Sequence, residues 1–402
     1  MWCAHTSHES TTIATVTAAG PKVLIVSDQF PPAKGGIGDY TALLSDALVD
    51  CDVRVSLFVR EGSNPKACRA PIAATFHRWS WATLSQLHRT LVATNADWVH
   101  LQHNGGLYGS CRLAAYLLPL YLRWKRWPGR IAVTFHDINR RPLFPKANAL
   151  MDWLIRRLAK DADLVIAADT TDVDTLRGFG AIAYQVPIGS NIPVADENAE
   201  TRAHIRARYG VPPDHFLLGH FGTALGLEIL FEAVSRLPLA TLLLVGKTVS
   251  RGNLGEIDQV PDSIREKLKS LGIESRVRWT SHLPVTDVAD ALFACDAIVL
   301  PYPAGASLRH GGMLAALSQA RALITTTPQK PLGSIISART LVTVPPGDVS
   351  ALVTAIKEVL ENPDRKSELE KAAVAARNFF SWETISREHM KYYMTSLSET
   401  GP

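Results

Sequence analysis

Three loops in this 402-residue chain carry residues suited to holding a polar, phosphorylated ligand. The first runs Gln29-Phe-Pro-Pro-Ala-Lys34-Gly35-Gly36-Ile-Gly38-Asp39-Tyr40. Gly35 and Gly36 let a backbone approach a ligand, and the helix that follows offers free N–H groups to a phosphate. Its glycines do not fit G-x-G-x-x-G and it lacks G-K-[ST], so it is neither a dinucleotide fingerprint nor a Walker loop. A turn that closes a βα unit is the plain alternative. The second loop, Val133-Thr-Phe-His136-Asp137, puts a histidine at a strand end, where it can donate a hydrogen bond to a substrate hydroxyl or simply anchor the fold. The third runs from Pro301 through Gly305, Ser307, Leu308, Arg309, His310, Gly311 and Gly312. Small residues, one arginine and a helix start make a diphosphate cradle or, more plainly, a long linking loop.

Other motifs point to less. His100 and His103 flank a strand and read chiefly as packing or loop anchors. Asp172-Val-Asp174 has metal-site spacing, yet it follows Thr170-Thr171 where a helix should start, so its carboxylates read as complements to the helix dipole. There is no H-E-x-x-H pair and no C-x-x-C among the five cysteines, which argues against a zinc site or a disulfide framework and fits a reducing cytosol. Arg123, Lys125, Arg126 and Arg130 interleave with Trp124 and Trp127, a pattern that suits an anionic membrane surface and equally a solvated basic helix end.

The elements that position these loops are legible from periodicity. Short apolar runs alternate with amphipathic stretches from Lys22 onward: strands at Val23–Val26, Arg54–Val59, Trp98–Gln102, Ile131–Phe135, Leu164–Ala167 and near Tyr184, with helices between them, including one over Leu113–Trp124. The alternation restarts after a polar stretch with Pro193, Pro212 and Pro213, placing a boundary near residues 190 to 212. This predicts an α/β chain of two doubly wound parallel sheets. The expected organisation is a disordered tail over 1–20, Rossmann-like domains over 21–195 and 196–380, and a helix in 381–402 that has no sheet partner left in its own half. A net charge of +4, from 42 Lys+Arg against 38 Asp+Glu, is too weak and dispersed for a nucleic-acid binder. The longest apolar run, Leu113–Leu122, is far short of the ~20 residues of a membrane span, and the sequence assigns no oligomeric state.

The ordered set of motifs resembles GT-B glycosyltransferases, most closely the large family-4 group of retaining enzymes, over residues 22 to 397. It is carried by Pro31-Pro32 with Gly35–Tyr40, Ala96–His100, Val133–Asp137, Val186–Pro193, Gly219–Thr223, Leu244–Gly246, Val277–Pro284 and Cys295–Pro301, with Trp382 in a final helix that crosses back to the first domain. The resemblance implies two Rossmann-like domains facing across a cleft and transfer of a sugar, without metal or other cofactor, from a nucleotide-diphosphate sugar to a saccharide, lipid-linked or other acceptor in polysaccharide or glycoconjugate assembly. It implies His136 as the catalytic residue. It assigns the donor to Gly35, Gly36, Gly222, Thr223, Ser281, His282, Ser307, Leu308, Arg309, His310, Gly311 and Gly312, and the acceptor to Lys34, Asp39, Tyr40, His103 and Asp137. Two departures stand out: no basic residue follows the Phe-Gly strand, and Ser307 and Ala315 occupy the positions of the family's Glu-x7-Glu pair. Losing both carboxylates favours an alternative in which the protein is a catalytically impaired scaffold of the same pathway. A sugar-nucleotide epimerase of the same architecture has less support, because the loop over Pro301–Gly312 offers no pair of acidic residues for the acid–base chemistry it would need.

Overall fold

The computed structural model describes residues 20–33, 35–138, 148–249, 261–333, 336–337 and 339–398. Residues 1–19 and Lys34 therefore lie outside the described residues.

In chain order, the first half comprises β1 (Lys22–Ser27), α1 (Gly36–Asp50), β2 (Arg54–Arg60), β3 (Ile72–Phe76), α2 (Trp81–Ala93), β4 (Trp98–Asn104), α3 (Arg112–Tyr116), α4 (Leu118–Trp124), β5 (Arg130–Asp137), α5 (Asn148–Asp161), β6 (Leu164–Ala167), α6 (Thr170–Gly178) and β7 (Ala183–Gln185). The second comprises α7 (Ala199–Arg208), β8 (Phe216–Thr223), α8 (Leu227–Ser235), β9 (Ala240–Val249), α9 (Asp262–Ser270), β10 (Val277–Trp279), α10 (Val285–Ala294), β11 (Ala297–Leu300), α11 (Gly311–Ser318), β12 (Ala322–Thr326), β13 (Val342–Val344), α12 (Val349–Glu361), α13 (Pro363–Phe379) and α14 (Trp382–Ser398).

The first sheet has seven strands in the order β3-β2-β1-β4-β5-β6-β7, the second six in the order β10-β9-β8-β11-β12-β13. Their pairings are parallel throughout. Central strands such as β1 and β11 are apolar and buried because helices cover both faces. Strand order reverses between β1 and β4 and again between β8 and β11, and in open α/β sheets ligands collect beyond the carboxyl ends of the strands at such points.

Two elements differ from the sequence reading. Strand β3 is an additional edge strand whose IAATF sequence is only partly buried, so it lacks the continuous apolar run that marks the inner strands. The helix expected over Leu113–Trp124 is broken into α3 and α4, since Pro119 fits the first turn of a helix but not its interior.

Helix α14 packs against α1. Ile385 and Tyr393 enter the core of the first half, with Met390 packed beside them. Trp382 fixes the linker: its indole N–H donates to the carbonyl of Ser190 at 2.8 Å, and a Cβ on Gly189 would lie 2.6 Å from its ring. Gln319 holds the same segment from the other side, donating to Pro193 O at 2.7 Å and accepting from Ala195 N–H at 2.9 Å.

Candidate active site

Strand alternation in β4 sends His100, Gln102 and Asn104 to one face and His103 to the other. His136, at the end of neighbouring β5, is held by Gln102: its Nε2–H donates to the Gln102 Oε1 acceptor at 2.8 Å, which leaves Nδ1 as the lone-pair nitrogen. The His136 ring meets Tyr40 edge-on at 4.8 Å, and Tyr40 in turn packs on Trp382 at 5.4 Å. Behind them, Thr134 shares hydrogen bonds with Tyr40 and, at 2.7 Å, with His100, whose other nitrogen meets the Tyr393 hydroxyl of α14 at 2.6 Å. Desolvation pushes His136 and His103 down to about 3, with further histidine charges opposing protonation, and His389 to about 4. His100 is also driven well below its ordinary value by burial. All four are uncharged at neutral pH, and with Nε2–H held by Gln102 the His136 ring keeps Nδ1 as its acceptor nitrogen.

His103 is a correction. It is 2% exposed and wedged between Tyr116 and Phe135, each 4.9 Å away, so it packs in the core and lines none of the cavities described here. Asp39 bonds Asn191 of the linker, and burial raises its carboxyl.

In the second half, backbones instead of side chains set the geometry. A Cβ on Gly312 would lie 2.4 Å from the carbonyl of Phe221, which presses the start of α11 onto the end of β8 beside Gly222. Gly226, at φ 83°, leaves no room either, since a Cβ there would sit 1.9 Å from Pro301 O. His310 stacks on Tyr302 at 3.9 Å and Leu308 is buried, so both are packing residues that shape the loop. Ser307 Oγ accepts from the Arg309 N–H at 3.3 Å. Ala315 is fully buried. Thr223 ends β8, while Ser281 and His282 are exposed in the turn after β10 and line neither cavity described here. On the other side of the cleft, the space a Gly35 side chain would need is filled by Gln29, whereas Gly36 is open.

Arg309 reaches across to the first half. Its guanidinium pairs with Asp172 and lies 3.8 Å from Asp137. The side-chain cap of α6 is Asp169, which accepts from the Thr171 N–H at 2.8 Å, and Asp172 lies in the first turn of that helix, as the sequence suggested, while also pairing with Arg309. Its carboxyl is 5% exposed and raised by desolvation, against the pull of Arg309. Arg309 also separates two cavities. One, of about 320 Å3, is faced by Gly36, Tyr40 and His136 from the first half, Arg309 and Gly311 from the second, and Trp382. The other, of about 240 Å3, lies between Asp169 on one side and Ser307, His310 and Lys330 on the other.

Two matches with known proteins bear on this arrangement. Residues 35–188 match the family model described as a glycosyl transferase 4-like domain, and residues 213–362 match that of the glycosyl transferases group 1. The chain belongs to the group 1 family of GT-B glycosyltransferases. Among curated proteins, D-inositol 3-phosphate glycosyltransferase 1 of Catenulispora acidiphila is 26% identical over 260 residues, covering 62% of this chain and 58% of that protein, less than two thirds of its length. Among solved structures, a glycosyltransferase from Rickettsia africae superposes with a TM-score of 0.71 at 15% identity, covering 95% of this chain and all (100%) of that one. HepE of Anabaena in complex with UDP gives 0.70 at 18%, covering 94% and 100%. These superpositions establish the GT-B fold.

Three residues of this GT-B cleft escaped the sequence reading. Asp172 had been set aside as a helix-end acid, and Lys330 sits in a loop with no motif. Gln102 was detectable, because its alternation with His100 points it to the same face.

The basic stretch also reads differently. Trp127 is buried, Arg130 opens β5, and Arg123 donates to Asp161 O at 2.7 Å. Trp124, 71% exposed with the Lys125 ammonium 4.4 Å over its ring, and Arg126 remain as an outward group. Among the described residues no helix is long and apolar enough to cross a membrane, and no cluster of three or more His, Cys, Asp or Glu residues could hold a metal ion.

Proposed function

We propose that the protein transfers a sugar from a nucleotide-diphosphate sugar to an acceptor held by the first half. One observation carries this: His136 of one sheet and Arg309 with the start of α11 from the other face a single cavity. Arg309 exchanges its carboxylate partners Asp172 and Asp137 for the diphosphate, while the free N–H groups of α11 take the rest of the developing negative charge. His136 Nδ1 accepts a hydrogen bond from a hydroxyl of the transferred sugar, and Tyr40 and Trp382 hold the ring in place. The reading includes retention of configuration, no metal, and a saccharide or lipid-linked acceptor in polysaccharide or glycoconjugate assembly on the cytoplasmic side. The outward group around Trp124 would bring the protein to an anionic membrane surface. Solved structures of Anabaena HepE with UDP and with UDP-glucose support a UDP-sugar donor.

A second reading is favoured by two observations: Ala315 and Ser307 supply no carboxylate to the donor loop, and Arg309 is already neutralised across the cleft. In it the protein binds a partner or acceptor of the same pathway without turnover. A screen of UDP-, GDP- and ADP-sugars separates the two. Nucleotide release or transfer with any donor supports the enzyme; no turnover and no nucleotide binding at millimolar concentration supports the scaffold.

A further inference from the structure

The first half holds a second cavity, of about 510 Å3, over the carboxyl ends of β1 and β2. Its size falls within the ~300–1,000 Å3 of small-molecule sites. Asp28, one residue beyond β1, lines it with a side chain only 10% exposed. Asp28 Oδ2 accepts the Tyr108 N–H at 3.2 Å, but buried Oδ1 has no hydrogen-bond partner. Arg60 Nε is 4.0 Å from it, beyond hydrogen-bond reach. The walls come from Arg60, Glu61 and Ser63 after β2 and from Leu107 after β4. The loop after β1 is tied to the loop after β2 by the Asn64 N–H donating to Pro31 O at 2.7 Å. Gln29 lines both this cavity and the one at His136, so the two adjoin along one sheet edge.

A buried carboxylate oxygen without a donor is costly unless a ligand completes it. A hydroxyl does so. A phosphate is disfavoured, because among the described lining residues Asp28 and Glu61 outnumber the single cation Arg60. We propose that this cavity binds an uncharged, hydroxyl-rich ring: the unit of the acceptor next to the one that receives the sugar, with Asp28 accepting hydrogen bonds from its hydroxyls. The proposal rests on the first half being the acceptor side.

Saturation-transfer NMR with cellobiose, myo-inositol and inositol 1-phosphate tests it on the whole chain. Wild type should show transfer to the two neutral probes and little to the phosphate. Asp28→Asn, which keeps the size of the side chain, should weaken neutral binding by roughly tenfold or more. Ser63→Trp, which fills the cavity from the loop after β2, should abolish it. Asp28→Asn, which removes the buried charge, should not lower the thermal midpoint, and both variants should keep the UDP affinity of wild type. No transfer from either neutral probe, signals indifferent to both substitutions, or a preference for inositol 1-phosphate would overturn the proposal. A protein that binds no UDP yet holds cellobiose in an Asp28-dependent way supports the cavity while refuting the donor reading, so the two fail separately.

Discussion

The two halves share one topology but fix their chemistry by different means. In the first half a chain of side chains, from Gln102 and Thr134 through His100 to Tyr393, orients His136 and Tyr40. In the second, close backbone approaches at Gly226 and Gly312 set the loop that carries Arg309. The difference teaches where each half is fragile: the first to changes in protonation, the second to a Cβ added at Gly226 or Gly312. Arg309 belongs to both, since among the described residues its guanidinium pairs with carboxylates across the cleft.

Breaking that shared contact should have the largest effect. Arg309→Ala leaves Asp172, 5% exposed, without its guanidinium, and because Arg309 is itself 30% exposed, losing this charge-assisted contact should cost about 1.5–3 kcal/mol. Urea unfolding should show that loss, and Asp172→Asn in the same chain should restore most of it. An Arg309→Ala protein as stable as wild type would mean the halves are not joined electrostatically. Gly312→Ala should cost about 1–3 kcal/mol by overpacking against Phe221 O, whereas Gly311→Ala, which meets nothing within 4 Å, should change little. Equal midpoints for the two variants would remove the backbone argument for the second half.

Acid should act on the first half. The folded-state values of buried His100, His103 and His389 lie below their unfolded value near 6.5, so the unfolded chain binds more protons at lower pH. Stability is then complete above about pH 6.5 and falls as pH drops below it, by up to about 1.4 kcal/mol per unit for each such histidine. Hydrogen exchange at pH 7.5 and 5 should show β4 and β5 losing protection before β8 and β11. Uniform loss across both sheets would contradict the contrast. The smallest effect concerns Trp124, Lys125 and Arg126: replacing both basic residues with Ser should weaken flotation with anionic vesicles by ~1 kcal/mol each. Flotation that does not change would assign this group to solvent.

The sequence already displayed both sheets, because apolar runs such as Leu164–Ala167 and Ala297–Leu300 mark buried parallel strands without ambiguity. It displayed His136, Arg309 and the glycines as candidates, since each lies in a strand-to-helix loop. What it could not display were partners far apart in the chain. Asp172 looks like an ordinary first-turn acid until α6 is set against the loop that carries Arg309, 137 residues away. Asp28 has no motif, and only its burial beneath the loop after β1 marks it. Alternation along β4 already places His103 on the face opposite His100 and Gln102, a local signal that the sequence carries.

The account turns on a nucleotide diphosphate taking Arg309 from its carboxylate partners. Calorimetric titration of UDP measures this most directly, with Arg309→Ala examined alongside Arg309→Ala/Asp172→Asn so that lost stability is not mistaken for lost affinity. UDP should bind wild type, bind both Arg309 variants about 10- to 150-fold more weakly, and bind His136→Ala nearly as tightly as wild type while transfer falls. UDP that binds all four proteins with one affinity, or binds none at millimolar concentration, would contradict it.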